Sequence, residues 1–215
     1  MLLVFALVQA LAAAEPSAPP STGEAARYEA CLAQIETDPN GAYENAMAWA
    51  HLTNARAAKR CAALALIERG RPDEAGRRFD IMALSGTESD RANDLSAAGN
   101  AWLLARNPDR ALKSFNNALR TVQATPDLLI DRARAFAMLR EWNKAENDLN
   151  AALDLDPKNA LALRLRAEAR MRQKAFDLAV KDAEDAVALS PGDIEALLTR
   201  GRAIDARRKG QAPDE

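Results

Sequence analysis

"NPDRALKSFNNAL", residues 107–119, is an amphipathic phrase that the chain writes four times. "RPDEAGRRFDIMAL" stands at 71–84, "EWNKAENDLNAAL" at 141–153 and "KAFDLAVKDAEDAV" at 174–187. An alanine holds the same place in each phrase (Ala75, Ala111, Ala145 and Ala179), at intervals of 36, 34 and 34 residues. A fixed interval of this size marks a repeat architecture, in which each unit buries its apolar face only by stacking on neighbours.

Working outward, 92–125, 126–159 and 160–193 are three contiguous units, and 56–91 is a further one upstream. Each holds a helical pattern, a break, a second helical pattern and another break. The first of the three sets Leu95, Ala98, Gly99 and Trp102 at helical spacing, then Ala111, Phe115 and Ala118. The next gives Leu129, Ala133 and Phe136, then Ala145, Leu149 and Ala152, and the last gives Leu163 and Ala167, then Ala179, Ala183 and Ala186. The upstream unit matches with Ala63, Leu66, Ala75, Phe79 and Met82. Small residues recur where two antiparallel helices must approach closely, and larger ones follow one turn on, as ridge-into-groove packing requires. Pro157 and Pro191 close second helices because a proline cannot continue the ladder. Asn159 and Asp193 are suited to cap the helices that follow.

On these residues the chain resembles the tetratricopeptide-repeat (TPR) family. The large–small–aromatic order of the family's first helix stands in "LSAAGNAW" (95–102) and "LIDRARAF" (129–136), and the order of its second helix in "ALKSFNNA" (111–118). Lys59, Arg170 and Ala183 depart from the pattern at single positions. The resemblance implies an all-α solenoid, a right-handed superhelix of antiparallel helix pairs, with about five units and a C-terminal capping helix. Residues 25–55 form a degenerate first unit with "DPNG" (38–41) as its inter-helix turn, 194–208 are the capping helix, and 209–215 are a tail.

The remainder of the chain narrows function. Thirty-one acidic against 29 basic residues give a net charge of −2, so there is no polybasic field for nucleic acid. One histidine, His51, excludes multi-histidine metal sites, and its place beside the degenerate unit reads as surface. Nine scattered glycines form no phosphate-cradling loop, and carboxylates such as Asp182 and Asp185 fall at helical spacing on a polar face, which reads as solvated surface. No catalytic constellation, metal, cofactor or small-molecule substrate is expected. "MLLVFALVQALAAA" (1–14) reads as a secretory signal peptide cleaved after Ala14, although no Lys or Arg precedes its apolar run, with a short buried N-terminal helix as the alternative, and the Pro/Ser-rich 15–24 reads as a spacer. The mature chain is thus expected in the periplasm or outside the cell, without a stable membrane span.

An even cysteine count in an exported chain favours pairing. Cys31 and Cys61 both fall midway along first helices of adjacent units, so a disulfide is expected, with two small buried hydrophobes as the alternative. A non-enzymatic scaffold of the cell envelope, binding another protein's peptide or helix, is the expected function. The alternative is a permanent structural subunit of a larger envelope complex.

If Leu95, Gly99 and Trp102 face the core, helical periodicity puts Asn93, Ser96, Asn100 and Leu103 on an adjacent face. The equivalents are Ile130, Arg134, Ala137 and Met138, then Arg164, Glu168, Met171 and Arg172, then Leu198 and Arg202. The resemblance implies that this face lines the inner surface of the superhelix, where peptides dock. Its mixture of Arg, Asn, Met and Leu suits a partner with acidic and apolar side chains. Alternatively, Arg134, Glu168 and Arg202 share one register and could form a self-neutralising ladder. The family's grip on a free C-terminal carboxylate is not reproduced. Arg60 and Asn100 have suitable character, but Leu64, Asp131 and Leu165 stand where its other polar contacts would be.

Overall fold

The computed structural model describes residues 23–210, and the expected signal peptide, most of the spacer and residues 211–215 lie outside them. The described residues form helices α1 (Glu24–Thr37), α2 (Pro39–Thr53), α3 (Arg56–Glu68), α4 (Pro72–Met82), α5 (Glu88–Leu104) and α6 (Pro108–Thr121). These are followed by α7 (Pro126–Met138), α8 (Trp142–Leu155), α9 (Ala160–Arg172), α10 (Phe176–Leu189) and α11 (Ile194–Lys209). No strand occurs among them. Consecutive helices pack as pairs, and α11 closes the series against α9 and α10.

The helix starts follow from capping chemistry. Asn107, Thr125, Asn159 and Asp193 each accept a backbone N–H of the first turn, and Pro108 and Pro126 occupy first-turn positions where no N–H is needed. Two boundaries differ from the sequence reading. Asp38 alone separates α1 from α2, because its carboxylate accepts the Gly41 N–H at 2.9 Å and Pro39 opens the helix; the rest of "DPNG" is helix, not turn. A capping box between Thr87 and Asp90 starts α5 at Glu88, four residues before the unit boundary at 92. The turns inside four pairs repeat one left-handed residue, Gly70, Arg106, Arg140 and Lys174, with φ of +72°, +53°, +59° and +63°.

First helices of successive units pack on one another (α1 on α3, α5 on α7, α7 on α9, α9 on α11), whereas second helices do so nowhere to that extent. First helices therefore take the inner curve and second helices the outer one. The pair α3 and α5 lacks such packing. Arg56 fills that junction instead: its guanidinium donates to the carbonyl of Met82 (3.0 Å), to that of Ser85 and to Asp94 Oδ2 (3.0 Å). Asp94 is fully buried, and desolvation raises its carboxyl above the usual range although Arg56 and Arg60 oppose this.

The core is the one that the repeat pattern marks. Ala111, Ala145 and Ala179 are buried, and Phe79, Trp102, Phe115 and Leu149 fill the space around them. A Cβ on Gly99 would lie 2.3 Å from the Phe115 ring, so only glycine allows that ring to close over α5. Gly201 holds the same register in α11, and a Cβ there would meet nothing within 4 Å. Phe136 is only half-buried, lying under Arg132 and Lys144.

Polar residues enter this core in a repeated way. Arg132 grips Asp148 with two bonds of 2.7 and 2.6 Å and reaches Asn116 at 2.8 Å. One unit on, Arg166 grips Asp182 at 2.9 and 2.8 Å and reaches Asn150 at 2.7 Å. Asp182 is therefore buried beneath two arginines, Arg166 and Arg170, and is not the solvated surface residue expected; only Asp185 fits that description, paired with Lys181. Arg170, an apparent departure from the repeat pattern, is the residue that ties Asp182 to Glu146.

Candidate partner-binding surface

The inner face is built by α5, α7, α9 and α11, and the expected site residues divide on it into three groups. Leu103, Ile130 and Met171 are buried, at 7%, 3% and 2% exposure, which corrects the assignment of Leu103 and Ile130 as contact residues and leaves Met171 only a place in the floor of a hollow. Each lies between the core stripe and the groove, where a first helix meets the next first helix. Leu103 joins the cluster of Leu128 and Ala135, Ile130 that of Ala162 and Leu163, and Met171 that of Ala203.

A second group forms the ladder that the register allowed. Asn100 donates to Asp131 at 2.7 Å, and Arg134 pairs with the other oxygen of Asp131 at 3.2 Å. Arg164 pairs with Glu168 at 3.0 Å, and Glu168 also accepts from Thr199 (3.2 Å) and Arg202 (3.4 Å). The ladder runs Asn100–Asp131–Arg134 and Arg164–Glu168–Arg202 in two separate rungs, not as the single Arg134–Glu168–Arg202 line of the sequence reading. Half of the Arg134 and Arg202 side-chain surface stays exposed, so a partner carboxylate can still reach both.

The third group surrounds a hollow. Ala137, Met138, Glu168, Arg172 and Arg202 converge on a space of about 310 Å³, with Met171 as part of its floor. Its neighbour, of about 120 Å³, is lined by Ala133, Arg134, Leu165 and Leu149. One residue shared by both hollows was missed from sequence: Trp142, the first residue of α8, over which the Arg172 guanidinium lies at 5.8 Å. Periodicity along first helices could not find it, because it enters the groove from the start of a second helix. Asn93, Ser96 and Leu198 are solvent-accessible to differing degrees but do not line either hollow.

Elsewhere, Arg60 lies 3.7 Å from buried Asp94, so with Asn100 bound to Asp131 both residues of carboxylate-gripping character already have internal partners. His51 is exposed on α2. Cys31 of α1 and Cys61 of α3 are both buried, with Cα atoms 6.3 Å apart, a separation a disulfide can span. Among the described residues no helix is long and apolar enough to cross a membrane, and no group of His, Cys, Asp or Glu has the arrangement of a metal site.

Helix pairs of this length, stacked with first helices inside, form an all-α solenoid with the arrangement of tetratricopeptide-repeat proteins. No protein-family model matches the chain. It is 29% identical over 147 residues to the DnaJ homolog subfamily C member 7 homolog of Dictyostelium discoideum, a match covering 66% of this chain and 26% of that protein. The chain thus spans about a quarter of the length of that relative. A thermophilic TPR protein of Thermus thermophilus shares the fold over 85% of this chain and 99% of its own, with a TM-score of 0.67 and 16% identity. The first TPR of Spaghetti (RPAP3), in a structure bound to the HSP90 peptide SRMEEVD, is 27% identical with a TM-score of 0.53, covering 56% of this chain and 95% of its own.

Proposed function

We propose that this protein is a non-enzymatic scaffold that holds a segment of a partner polypeptide in its inner groove. The observation that carries the reading is the hollow around Trp142, where Met138 offers apolar contact and Arg134, Arg172 and Arg202 stand at its edge. A segment with an aliphatic anchor beside acidic side chains fits it: the anchor would lie against Trp142 and Met138, and carboxylates would meet the arginines. The similar RPAP3 domain holding a peptide supports a groove-bound segment. The Arg60–Asp94 and Asn100–Asp131 contacts favour an internal segment over a free C-terminal carboxylate. The leader-like 1–14 and the facing cysteines favour a setting in the cell envelope.

The test is photo-crosslinking in living cells from position 138, with position 178 on the outside as control, followed by identification of the captured protein. The partner should crosslink from 138, and Trp142→Ala and Arg134→Glu/Arg202→Glu should each abolish capture while helicity and melting stay unchanged. Capture from 178 alone would place binding on the other side. The native N-terminus decides export: an intact Met1 on cytosolic protein would remove the envelope setting.

A second reading, a permanent subunit of a larger complex, draws on α11, where Ile194 and Leu198 are 70% and 53% exposed. A purified chain that aggregates until a partner is supplied would favour it.

A further inference from the structure

The outer curve carries a second kind of surface, and one register position controls it. Arg132 and Arg166 reach from first helices into the clefts between successive second helices, α6/α8 and α8/α10, and fill them with bonds to an Asn on one side and an Asp on the other. The same register in the two preceding units holds Ala98 and Ala62, both fully buried, which reach nothing beyond the core. Where the arginine is missing the outer clefts stay open, about 680 Å³ between α4 and α6 and about 870 Å³ between α2 and α4.

Each cleft is lined by four Lys or Arg residues and one carboxylate, but three of the four cations of the α2/α4 cleft are paired with carboxylates. Arg91, Arg110, Lys113 and Arg120 line the α4/α6 cleft, and its one carboxylate is Asp80. Both Asp80 oxygens are occupied, one by Trp102 Nε1 and the other by Ser114 Oγ, each at 2.9 Å. Arg110 lies over the Trp102 ring, and Arg120 donates to Asn117. Neither Arg91 nor Lys113 has an acidic partner among the described residues. Leu84 stands at the rim with 82% of its surface exposed. Four cations stand around one carboxylate whose oxygens are both held by neutral donors, a local excess of positive charge in a protein of net charge −2.

We propose that the α4/α6 cleft is a second docking surface, on the outside of the solenoid, for an acidic polypeptide segment carrying an aliphatic side chain. Carboxylates meet Arg91, Lys113 and Arg120, and the aliphatic group covers Leu84. The adjoining α2/α4 cleft also carries cations, but Arg56, Arg77 and Arg78 there are paired with Asp94, Asp73 and Glu74. Apart from Lys59, the charge without an acidic partner in the two clefts is therefore confined to one short cleft, and it suits a few clustered carboxylates better than an extended phosphate backbone. The surface is separate from the hollows around Trp142: α4, the start of α5 and α6 line it, whereas α7, α8, α9 and α11 line the hollows.

The experiment is an NMR titration of the 15N-labelled full chain with the blocked peptide acetyl-EDLLEEDLE-amide. Saturable shifts are expected at Leu84, Arg91, Lys113 and Arg120. Lys113→Glu/Arg120→Glu, both on the exposed side of α6, should weaken binding by on the order of tenfold or more, and Lys113→Gln/Arg120→Gln by less. Arg134→Glu/Arg202→Glu in the inner groove should leave this binding unchanged. Shifts confined to the residues around Trp142, no saturable shift, or charge reversal on α6 without effect would each overturn the proposal. So would a twelve-nucleotide oligothymidylate that binds the cleft more tightly than the peptide, which would make it a nucleic-acid surface.

Discussion

The N-terminal and C-terminal halves of the solenoid solve the same packing problem with different chemistry. From α6 to α10 each junction between second helices is bridged by a half-buried guanidinium, Arg132 or Arg166, with carboxylate and amide partners in fixed register. From α2 to α6 alanine takes the arginine's place, Ser114 stands where the later units have Asp148 and Asp182, and the clefts remain open. The junction of α3 and α5 relies on Arg56 and a buried Asp94 whose charged form is disfavoured. Buried charges commit the C-terminal half to one geometry, since any missing partner leaves an ion stranded. The N-terminal half holds fewer such commitments and keeps solvent-facing space for another molecule.

The largest effect that would sharpen this contrast is at one register position. Asp182→Ala leaves Arg166 and Arg170 without their shared carboxylate in the interior, and should cost about 3–5 kcal/mol in denaturant unfolding. Ser114→Ala, at the equivalent place in the N-terminal half, removes a neutral donor and should cost about 1 kcal/mol. Equal losses would break the comparison.

The N-terminal half has a covalent substitute within reach. We propose that Cys31 and Cys61 are bridged. Closing a 30-residue separation should stabilise by about 3–4 kcal/mol on the chain-entropy model. Reductant should lower the melting temperature of the wild type but not that of Cys31→Ala/Cys61→Ala, and unfolded, unreduced protein should show no thiol in titration. Two titratable thiols would end the idea.

Next in size is Glu146→Gln. Burial pushes the Glu146 carboxyl up, but hydrogen bonds from Arg170 and Gln173 outweigh this and hold it below the usual glutamate range. A lowered folded value means stability that is present above the unfolded value of 4.5 and lost as pH falls through the folded one. The variant should therefore lose about 2 kcal/mol at neutral pH. Its difference from wild type should shrink as pH drops below 4.5. Asp94 runs the opposite way: its raised value makes the charged form a burden at neutral pH that protonation relieves. A pH series of unfolding curves should show acid weakening the Glu146 contact while it eases the α3/α5 junction.

The smallest single effect, at Gly201, is one of a pair at two glycines in one register. Gly99→Ala should destabilise by about 2 kcal/mol, because the new methyl meets the Phe115 ring. Gly201→Ala should stabilise by about 0.5–1 kcal/mol, since it gains helix propensity and meets nothing. Opposite signs at positions three units apart would show that α11 lacks the second helix that covers α5.

The sequence by itself determined the repeat, the helix pairs, the small-residue seams and the caps at Asn159 and Asp193, because these are local or periodic properties: a 34-residue interval and a 3.6-residue period are both legible along one chain. It also marked Arg134, Glu168 and Arg202 as members of one register. Only the tertiary structure decided which neighbours they meet, splitting the inner ladder at Asp131 and Glu168. It buried Leu103, Ile130 and Met171 by the rotation of each first helix against the next, a rotation that periodicity within one helix cannot specify. Asp182 looked like surface because its spacing with Asp185 is that of a polar face; Arg166, sixteen residues earlier, and Arg170 turned it inward. Trp142 and the open outer clefts depend on contacts between units. Such contacts are set by relative helix placement, and the side chain that fills or fails to fill a cleft comes from a different helix than the ones that form it.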